Sequence, residues 1–349
     1  MRNSLLFLAL LAIPLLSTAQ PTHYSLSLTG GKTIPTQGSP FGGNSPTVGV
    51  DASIYWLQGD TSVYWQRFWR LPYFGIRGNY AHVINAIAGE KLELASIFQG
   101  QVYRGLDWVY SVGISYYTNP YSRSHDEKNS FIGSALNCLI DLGFLYNWDL
   151  TANTTLFLSG KLVHTSNGYL YKPNHGLNYL QAELGLRVGP THLHLTLPGR
   201  DTTYHSFGRL FLSFAPGAVM SRNDPIDQIV FYPAYMFQVG YIRYPHPAFA
   251  YGAALDLSYN FAHRKLAPAD EWPLYPALSA FGDCLWGPFV LRLGMAHYLA
   301  YYPQNWFQYY ERVALYYRFG RDQRQHAGIG MKVHGDHIDF IEWTYGIEL

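Results

Sequence analysis

Three polar side chains near the middle of the chain have the types and spacing that nucleophilic catalysis needs. His164 and Ser166 are two positions apart, so on a β-strand they project from the same face about 6.5 to 7 Å apart. A serine hydroxyl becomes an effective nucleophile when a neighbouring base accepts its proton, and histidine is such a base. Asn178 follows after a turn sequence and can orient the histidine, as a third group does in hydrolase triads. The three residues predict a catalytic Ser-His pair with an orienting amide.

Neighbouring residues supply candidate donors for the oxyanion that forms during ester cleavage. The side chain of Asn167 or Asn174 and the backbone N–H of Gly168 are close to Ser166 in sequence, and such donors stabilise a tetrahedral intermediate. The alternative is that His164 and Ser166 form a polar pair at the rim of a barrel that merely meets water.

The same segment has the alternation of a β-strand with one apolar face. Leu158 and Leu162 share parity with His164 and Ser166, and on the return strand Asn178 shares parity with Leu180. A hairpin that turns near Tyr171 would place Asn178 across from His164 or Ser166. Glu183 has the opposite parity, which excludes it as the third member of the group.

Alternation of this kind recurs along the chain and is clearest at the C-terminus. Period-two alternation with charges on one side indicates a sheet with one apolar face. At the C-terminus that face comprises Ile341, Trp343, Tyr345, Ile347 and Leu349. Turn signals separate about twelve to fourteen such segments, including 129–148, which also has a period of two. The sequence therefore predicts an all-β fold, an antiparallel transmembrane β-barrel of about 12–14 strands, with a soluble β-sandwich as the alternative.

Composition agrees with a barrel in which lipid-facing and lumen-facing residues alternate. Aromatic residues make up 17% of the 349 residues, with 30 Tyr and 9 Trp, whereas charged residues make up 13%. A typical soluble domain has about 25% charged residues. Mean hydropathy is −0.08, as expected when outward apolar and inward polar side chains balance. The near-zero net charge and the lack of a basic stripe predict that the protein does not bind nucleic acid.

The N-terminus predicts export. Arg2 precedes an apolar run that ends at Ser17-Thr18-Ala19, the pattern of a cleaved signal peptide. We therefore expect a signal peptide at 1–19 and a single barrel domain at 20–349. The cysteines Cys138 and Cys284 can pair in an oxidising compartment, or stay apart if Cys138 faces lipid.

The sequence predicts no metal and no other cofactor. His334-Gly335-Asp336-His337 has metal-ligating side chains, but its position between two strands favours a hairpin turn. Phosphate-cradling loops and Cys-x-x-Cys pairs, the usual signs of nucleotide and zinc sites, do not occur in the sequence.

One motif resembles a known family. The family pattern is His-x-Ser-Asn followed by Pro-Asn-x-Gly, and the matching residues here are His164, Ser166, Asn167, Pro173, Asn174 and Gly176. This resembles the signature of the lipid A 3-O-deacylase family, also called the acyloxyacyl hydrolase family, over roughly residues 105–190. The family has an acid, Glu, at the position of Asn178.

The resemblance implies an outer-membrane ester hydrolase that removes a fatty acyl chain from lipid A of lipopolysaccharide. Ser166 would then be the nucleophile, His164 the base and Asn178 the orienting residue. Lipopolysaccharide and the surrounding outer-membrane lipid would be its partners. The alternative is a non-enzymatic outer-membrane barrel, either a channel or a structural porin.

Overall fold

The computed structural model describes thirteen segments of the chain. These are residues 23–34, 45–58, 63–84, 88–122, 129, 131–168, 171–174, 176–190, 204–219, 230–264, 274–300, 308–334 and 337–349. In these segments there is no helix with the length and apolar character that crossing a membrane requires. The expected signal peptide at 1–19 lies outside the described residues.

The strands form where the sequence alternates. In the strand Leu177–Val188, Leu180 and Leu184 are exposed, whereas Gln181, Glu183 and Arg187, of the opposite parity, are buried. Because successive side chains on a strand point to opposite faces, this pattern puts the apolar row outside the barrel and the polar row inside it. The lipid-facing and lumen-facing rows of a membrane barrel alternate in this way.

The first eight strands close into one antiparallel barrel in which each strand pairs with its sequence neighbours and β1 pairs with β8. Two-residue turns join β4 to β5 and β6 to β7, and a short helix α1 (Tyr64–Phe68) lies between β2 and β3. The strands are β1 (His23–Ile34), β2 (Pro46–Leu57), β3 (Tyr73–Val83), β4 (Glu90–Tyr103), β5 (Leu106–Tyr117), β6 (Leu136–Thr151), β7 (Thr154–Ser166) and β8 (Leu177–Val188).

The next eight strands close into a second antiparallel barrel, in which β16 pairs with β9. A short helix α2 (Phe261–Arg264) follows β11, and a 3-10 turn (Arg321–Gln323) joins β14 to β15. The strands are β9 (Phe207–Val219), β10 (Tyr232–His246), β11 (Phe249–Asn260), β12 (Leu274–Trp286), β13 (Phe289–Tyr298), β14 (Tyr309–Phe319), β15 (Gln325–His334) and β16 (His337–Glu348).

Buried ion pairs fill the interior of each barrel. In the first, Arg77 lies 2.5 Å from Asp141 and 3.4 Å from Asp51. In the second, Arg292 forms two hydrogen bonds of 2.8 Å with Asp283. An eight-stranded barrel is just wide enough for side chains to fill it, and charges inside must be paired because burial otherwise costs free energy.

The structure confirms the predicted all-β antiparallel barrel but differs in how the strands are grouped. The sequence predicted a single barrel of 12–14 strands over 20–349, whereas the described residues form sixteen strands in two closed barrels of eight. The division follows from hydrogen bonding, since β8 pairs with β1 and leaves no edge for β9. The predicted strand within 129–148 begins only at Leu136.

The C-terminal strand alternates as predicted over most of its length. Trp343, Tyr345, Ile347 and Leu349 are exposed, but Ile341 is buried. His334 and His337 are paired residues of adjacent strands, in agreement with the predicted hairpin. Gly335 and Asp336, which lie between them in the sequence, are outside the described residues.

Candidate active site

The hairpin of β7 and β8 brings together the residues predicted to catalyse. His164 is the direct cross-strand partner of Asn178, one of the two pairings that the predicted turn near Tyr171 allows. Ser166 is the last residue of β7 and pairs with Cys138 on β6. Regular pairing along β7 and β8 thus determines which side chains are neighbours at this end of the barrel.

Two hydrogen bonds join the three side chains in a row. The Nδ1 atom of His164 lies 2.8 Å from Oδ1 of Asn178, and its Nε2 atom lies 3.0 Å from Oγ of Ser166. An amide oxygen only accepts hydrogen bonds, so Nδ1 carries the ring proton in this arrangement. The lone pair of Nε2 then faces the Ser166 hydroxyl, which is the geometry of a general base beside its nucleophile.

The three side chains differ in how far they are covered. His164 and Asn178 are half-buried and share the outward parity of the exposed Leu162 and Leu180. Ser166 has the same parity but is only 2% exposed, whereas the sequence predicted that it would face lipid.

The predicted oxyanion residues lie next to Ser166 and contact each other. The backbone N–H of Asn167 donates to Oδ1 of Asn174 over 3.3 Å. Asn167 is 4% exposed, and Gly168 after it has a φ of +65°. The structure thus brings Asn167 and Asn174 together at the end of β7, and their part in catalysis stays a prediction.

Gly176 lets the turn lie close to His164 and Ser166. Its φ is +66°, and a Cβ built on it would lie 3.0 Å from Cε1 of His164 and 3.3 Å from Cβ of Ser166. Only glycine tolerates both the left-handed backbone and this contact without strain. The glycine of the Pro-Asn-x-Gly motif is explained by this packing.

A segment before β6 supports the site through residues that the sequence analysis did not assign. Nδ2 of Asn167 donates to Oγ of Ser134 over 3.2 Å, and that hydroxyl donates to the carbonyl of Leu136. The backbone N–H of Gly176 donates to the carbonyl of Phe131. The available signal was that Ser134 is the one polar residue among apolar positions of the same parity between Ile132 and Tyr146.

Buried Asn129 holds that supporting segment in shape. Its Oδ1 accepts hydrogen bonds from the backbone N–H groups of Phe131 and Ile132, over 3.2 and 3.1 Å. Its Nδ2 donates to the carbonyl of Asn119 over 2.6 Å. Asn129 thus ties the start of this segment to the backbone after β5.

Glu183 is separated from the candidate site, as its parity predicted. It is buried in the interior of the first barrel, where Lys161 lies 2.6 Å from its carboxylate. Among the described residues there is no cluster of metal-ligating side chains. Cys138 and Cys284 are both free thiols rather than a disulfide.

The sequence matches two family models. The model described as lipid A 3-O-deacylase (PagL) matches residues 53–187, and the model described as acyloxyacyl hydrolase, C-terminal domain, matches residues 199–349. Together the matched segments span about four fifths of the chain. No curated protein matches it.

Solved structures of outer-membrane barrels are also similar. The outer-membrane enzyme PagL is 18% identical over 47% of this chain and 98% of that one, with a TM-score of 0.31. The siderophore receptor PirA from Pseudomonas aeruginosa is 12% identical, over 95% and 62% of the two chains, with a TM-score of 0.29. A mutant of the Rh. blastica porin is 12% identical, over 95% and 100%, with a TM-score of 0.22.

Proposed function

We propose that this chain cleaves an acyl ester of lipid A by a Ser-His mechanism in its first barrel. The chain belongs to the family of lipid A 3-O-deacylases and acyloxyacyl hydrolases. Both family models support a place in the outer membrane and the removal of acyl chains from lipid A. The proposal concerns which residues catalyse the reaction, by what mechanism they do so, and where on the barrel wall they lie.

The observation that carries the proposal is the row Asn178–His164–Ser166 with contacts of 2.8 and 3.0 Å. In the first step Oγ of Ser166 attacks the ester carbonyl carbon while Nε2 of His164 accepts its proton. The tetrahedral intermediate expels the sugar hydroxyl, which takes that proton, and leaves an acyl group on Ser166. Water then attacks the acyl-serine with His164 again as base, and the fatty acid leaves.

Asn178 orients His164 in every step of this reaction. Its amide oxygen accepts the Nδ1–H bond, which holds the tautomer that catalysis needs. The neutral amide offers no opposite charge to the imidazolium that forms, unlike the Glu that the family has at this position. We therefore expect the reaction to be slower than with a carboxylate in the same place.

The surroundings suit a substrate that lies in the membrane. Leu162 and Leu180 are each 54% exposed. They are paired with each other and are the next outward-facing residues along β7 and β8 from His164 and Asn178, so acyl chains can lie against them. The site is at the end of the first barrel opposite the two-residue turns of β4–β5 and β6–β7. In outer-membrane barrels the short turns face the periplasm and the longer loops face outward, where lipopolysaccharide is found.

The alternative of a channel has less support. Arg77, Asp51 and Asp141 meet inside the first barrel, and Arg292 and Asp283 meet inside the second. All five side chains are buried. Side chains that fill the interior of an eight-stranded barrel favour a catalytic wall over a conducting lumen.

Mass spectrometry of lipid A from cells that express the wild-type protein or Ser166→Ala tests the proposal. The expected result is a population of lipid A that lacks one acyl chain with the wild type, and none with the variant at the same level in the membrane. An identical acylation pattern in wild-type and empty-vector cells would overturn the proposal.

A further inference from the structure

Strand β1 carries a cation on the outside of the first barrel. Lys32 is exposed and shares parity with the exposed Leu26 and Leu28. The other lysines and arginines on described strands of this barrel are buried in its interior. They are Arg77, Lys91, Lys161 and Arg187.

Lys32 has no opposite charge beside it among the described residues. Its cross-strand partners are Pro46 on β2 and Leu180 on β8, and it forms no ion pair with a described residue. The outward carboxylate of Glu90, in contrast, lies 2.8 Å from Nδ1 of His82. A lysine on the lipid-facing side destabilises a barrel by an amount that depends on its depth in the membrane. A functional role would explain why Lys32 is present there without a neighbouring opposite charge.

The position of Lys32 relates it to the candidate active site. Ile34, two residues further along β1, pairs with Asn178, and Asn178 pairs with His164. Lys32 is thus on the strand next to the catalytic hairpin. It is two residues before Ile34, which lies in the same cross-strand row as Asn178 and His164. That offset is about 7 Å along the strand, and a lysine stem lies on apolar surface while its ammonium extends to a polar region.

We propose that Lys32 binds a phosphate group of the glycolipid whose acyl ester is held at Ser166, and so selects phosphorylated substrates. The inference rests on the function proposed above, since lipid A is a phosphorylated, acylated disaccharide. The ammonium group supplies a point charge suited to phosphate. The leucines beside the site hold the acyl chain, and Lys32 holds the headgroup.

Binding to the Ser166→Ala protein in detergent micelles tests this inference without turnover. The probes are lipid A and the same lipid after enzymatic removal of its phosphates. We expect the Lys32-containing protein to prefer the phosphorylated lipid about tenfold, which corresponds to about 1.4 kcal/mol. Lys32→Met, which keeps the length of the stem, should reduce that ratio to near one, and Lys32→Arg should retain it.

The ratio separates the inference from its alternatives. Lys32→Met with an unchanged preference would overturn it, as would an equal loss of affinity for both lipids, which indicates a structural role. Lys32→Gln provides a second charge-free variant if Lys32→Met does not fold. A lysine that only meets bulk phospholipid predicts no change in the ratio in any variant. Failure of the proposed function is distinguishable, because it would appear as absent hydrolysis of both lipids by the wild type.

Discussion

The Nδ1 atom of His164 lies 2.8 Å from Oδ1 of Asn178, its direct partner on the next strand of the first barrel. The amide oxygen requires a proton on Nδ1 and so leaves Nε2 to accept the proton of Ser166, 3.0 Å away. A carboxylate would fix the same tautomer and would also stabilise the protonated ring by charge. Asn178 therefore orients the ring but contributes no ion pair to the charged state.

Replacing this amide with an acid should raise activity. We expect Asn178→Glu to increase kcat about tenfold, equivalent to about 1.4 kcal/mol of transition-state stabilisation, because the imidazolium gains an anionic partner. Asn178→Leu should lower kcat, since nothing then orients the ring. Release of fatty acid from lipid A by the purified variants measures both effects. An inactive Asn178→Glu protein with a normal fold would show that Asn178 has a different role.

A methyl group at Gly176 should disturb the site while leaving the barrel intact. The added Cβ would lie 3.0 Å from Cε1 of His164, on a backbone with φ of +66°, so the ring must shift and its contact with Ser166 lengthens. We expect Gly176→Ala to lose at least tenfold in kcat, with the folded form still resistant to unfolding by detergent on heating. Gly160→Ala is the matched control, because a Cβ there meets nothing within 4 Å. Equal kinetics for both variants would contradict this explanation of the motif glycine.

Ser134 should act through Asn167. Its hydroxyl accepts a hydrogen bond from Nδ2 of Asn167, so Ser134→Ala removes one of the contacts that hold this amide beside Ser166. We expect a loss of roughly tenfold in kcat with little change in KM, smaller than the 10²–10³ that follows removal of an oxyanion donor itself. Ser134→Thr keeps the hydroxyl and should retain most of the activity. If Ser134→Ala changed KM alone, Ser134 would contribute to substrate binding rather than to positioning.

The buried charges of the first barrel should be needed for stability. Arg77 lies within 4 Å of Asp51, Glu93 and Asp141, and Arg77→Met leaves these carboxylates without it. Removing one partner of a buried ion pair costs about 3–5 kcal/mol. Urea unfolding of the protein in lipid vesicles measures the change. The double variant Arg77→Met/Asp141→Leu should recover part of the loss, and a double variant less stable than the single one would argue against unpaired charge as the cause.

The positions of many strands and the hairpin of β7 and β8 could be predicted because both depend on local sequence. Alternation on either side of Tyr171 places Asn178 opposite His164 or Ser166, and the structure pairs it with His164. Parity also placed Glu183 inside the barrel, where it contacts Lys161. Alternation says which face a side chain occupies, but it does not say what lies over that face. Ser166 has outward parity, yet it is only 2% exposed, and alternation could not predict this burial.

The closure of the strands into two barrels could not be predicted from the alternation of the sequence. Whether β8 pairs with β1 or continues to β9 depends on contacts between strands far apart in sequence, and both options have the same alternation. Eight strands that pair from β1 to β8 bury Arg77 and Asp141 against each other, a contact between residues 64 positions apart. The support that Ser134 and Asn129 give the site likewise depends on a loop whose path alternation does not determine.

The most direct test of the proposed mechanism is fatty acid release from purified lipid A by the purified full-length protein and by Ser166→Ala. The variant removes one hydroxyl from a buried position and leaves the His164–Asn178 contact in place. We predict that the wild type releases one fatty acid per lipid A and that Ser166→Ala releases fatty acid at no more than about one thousandth of that rate, the scale on which removal of a nucleophile acts. Release by Ser166→Ala at the wild-type rate would contradict the assignment of Ser166 as the nucleophile.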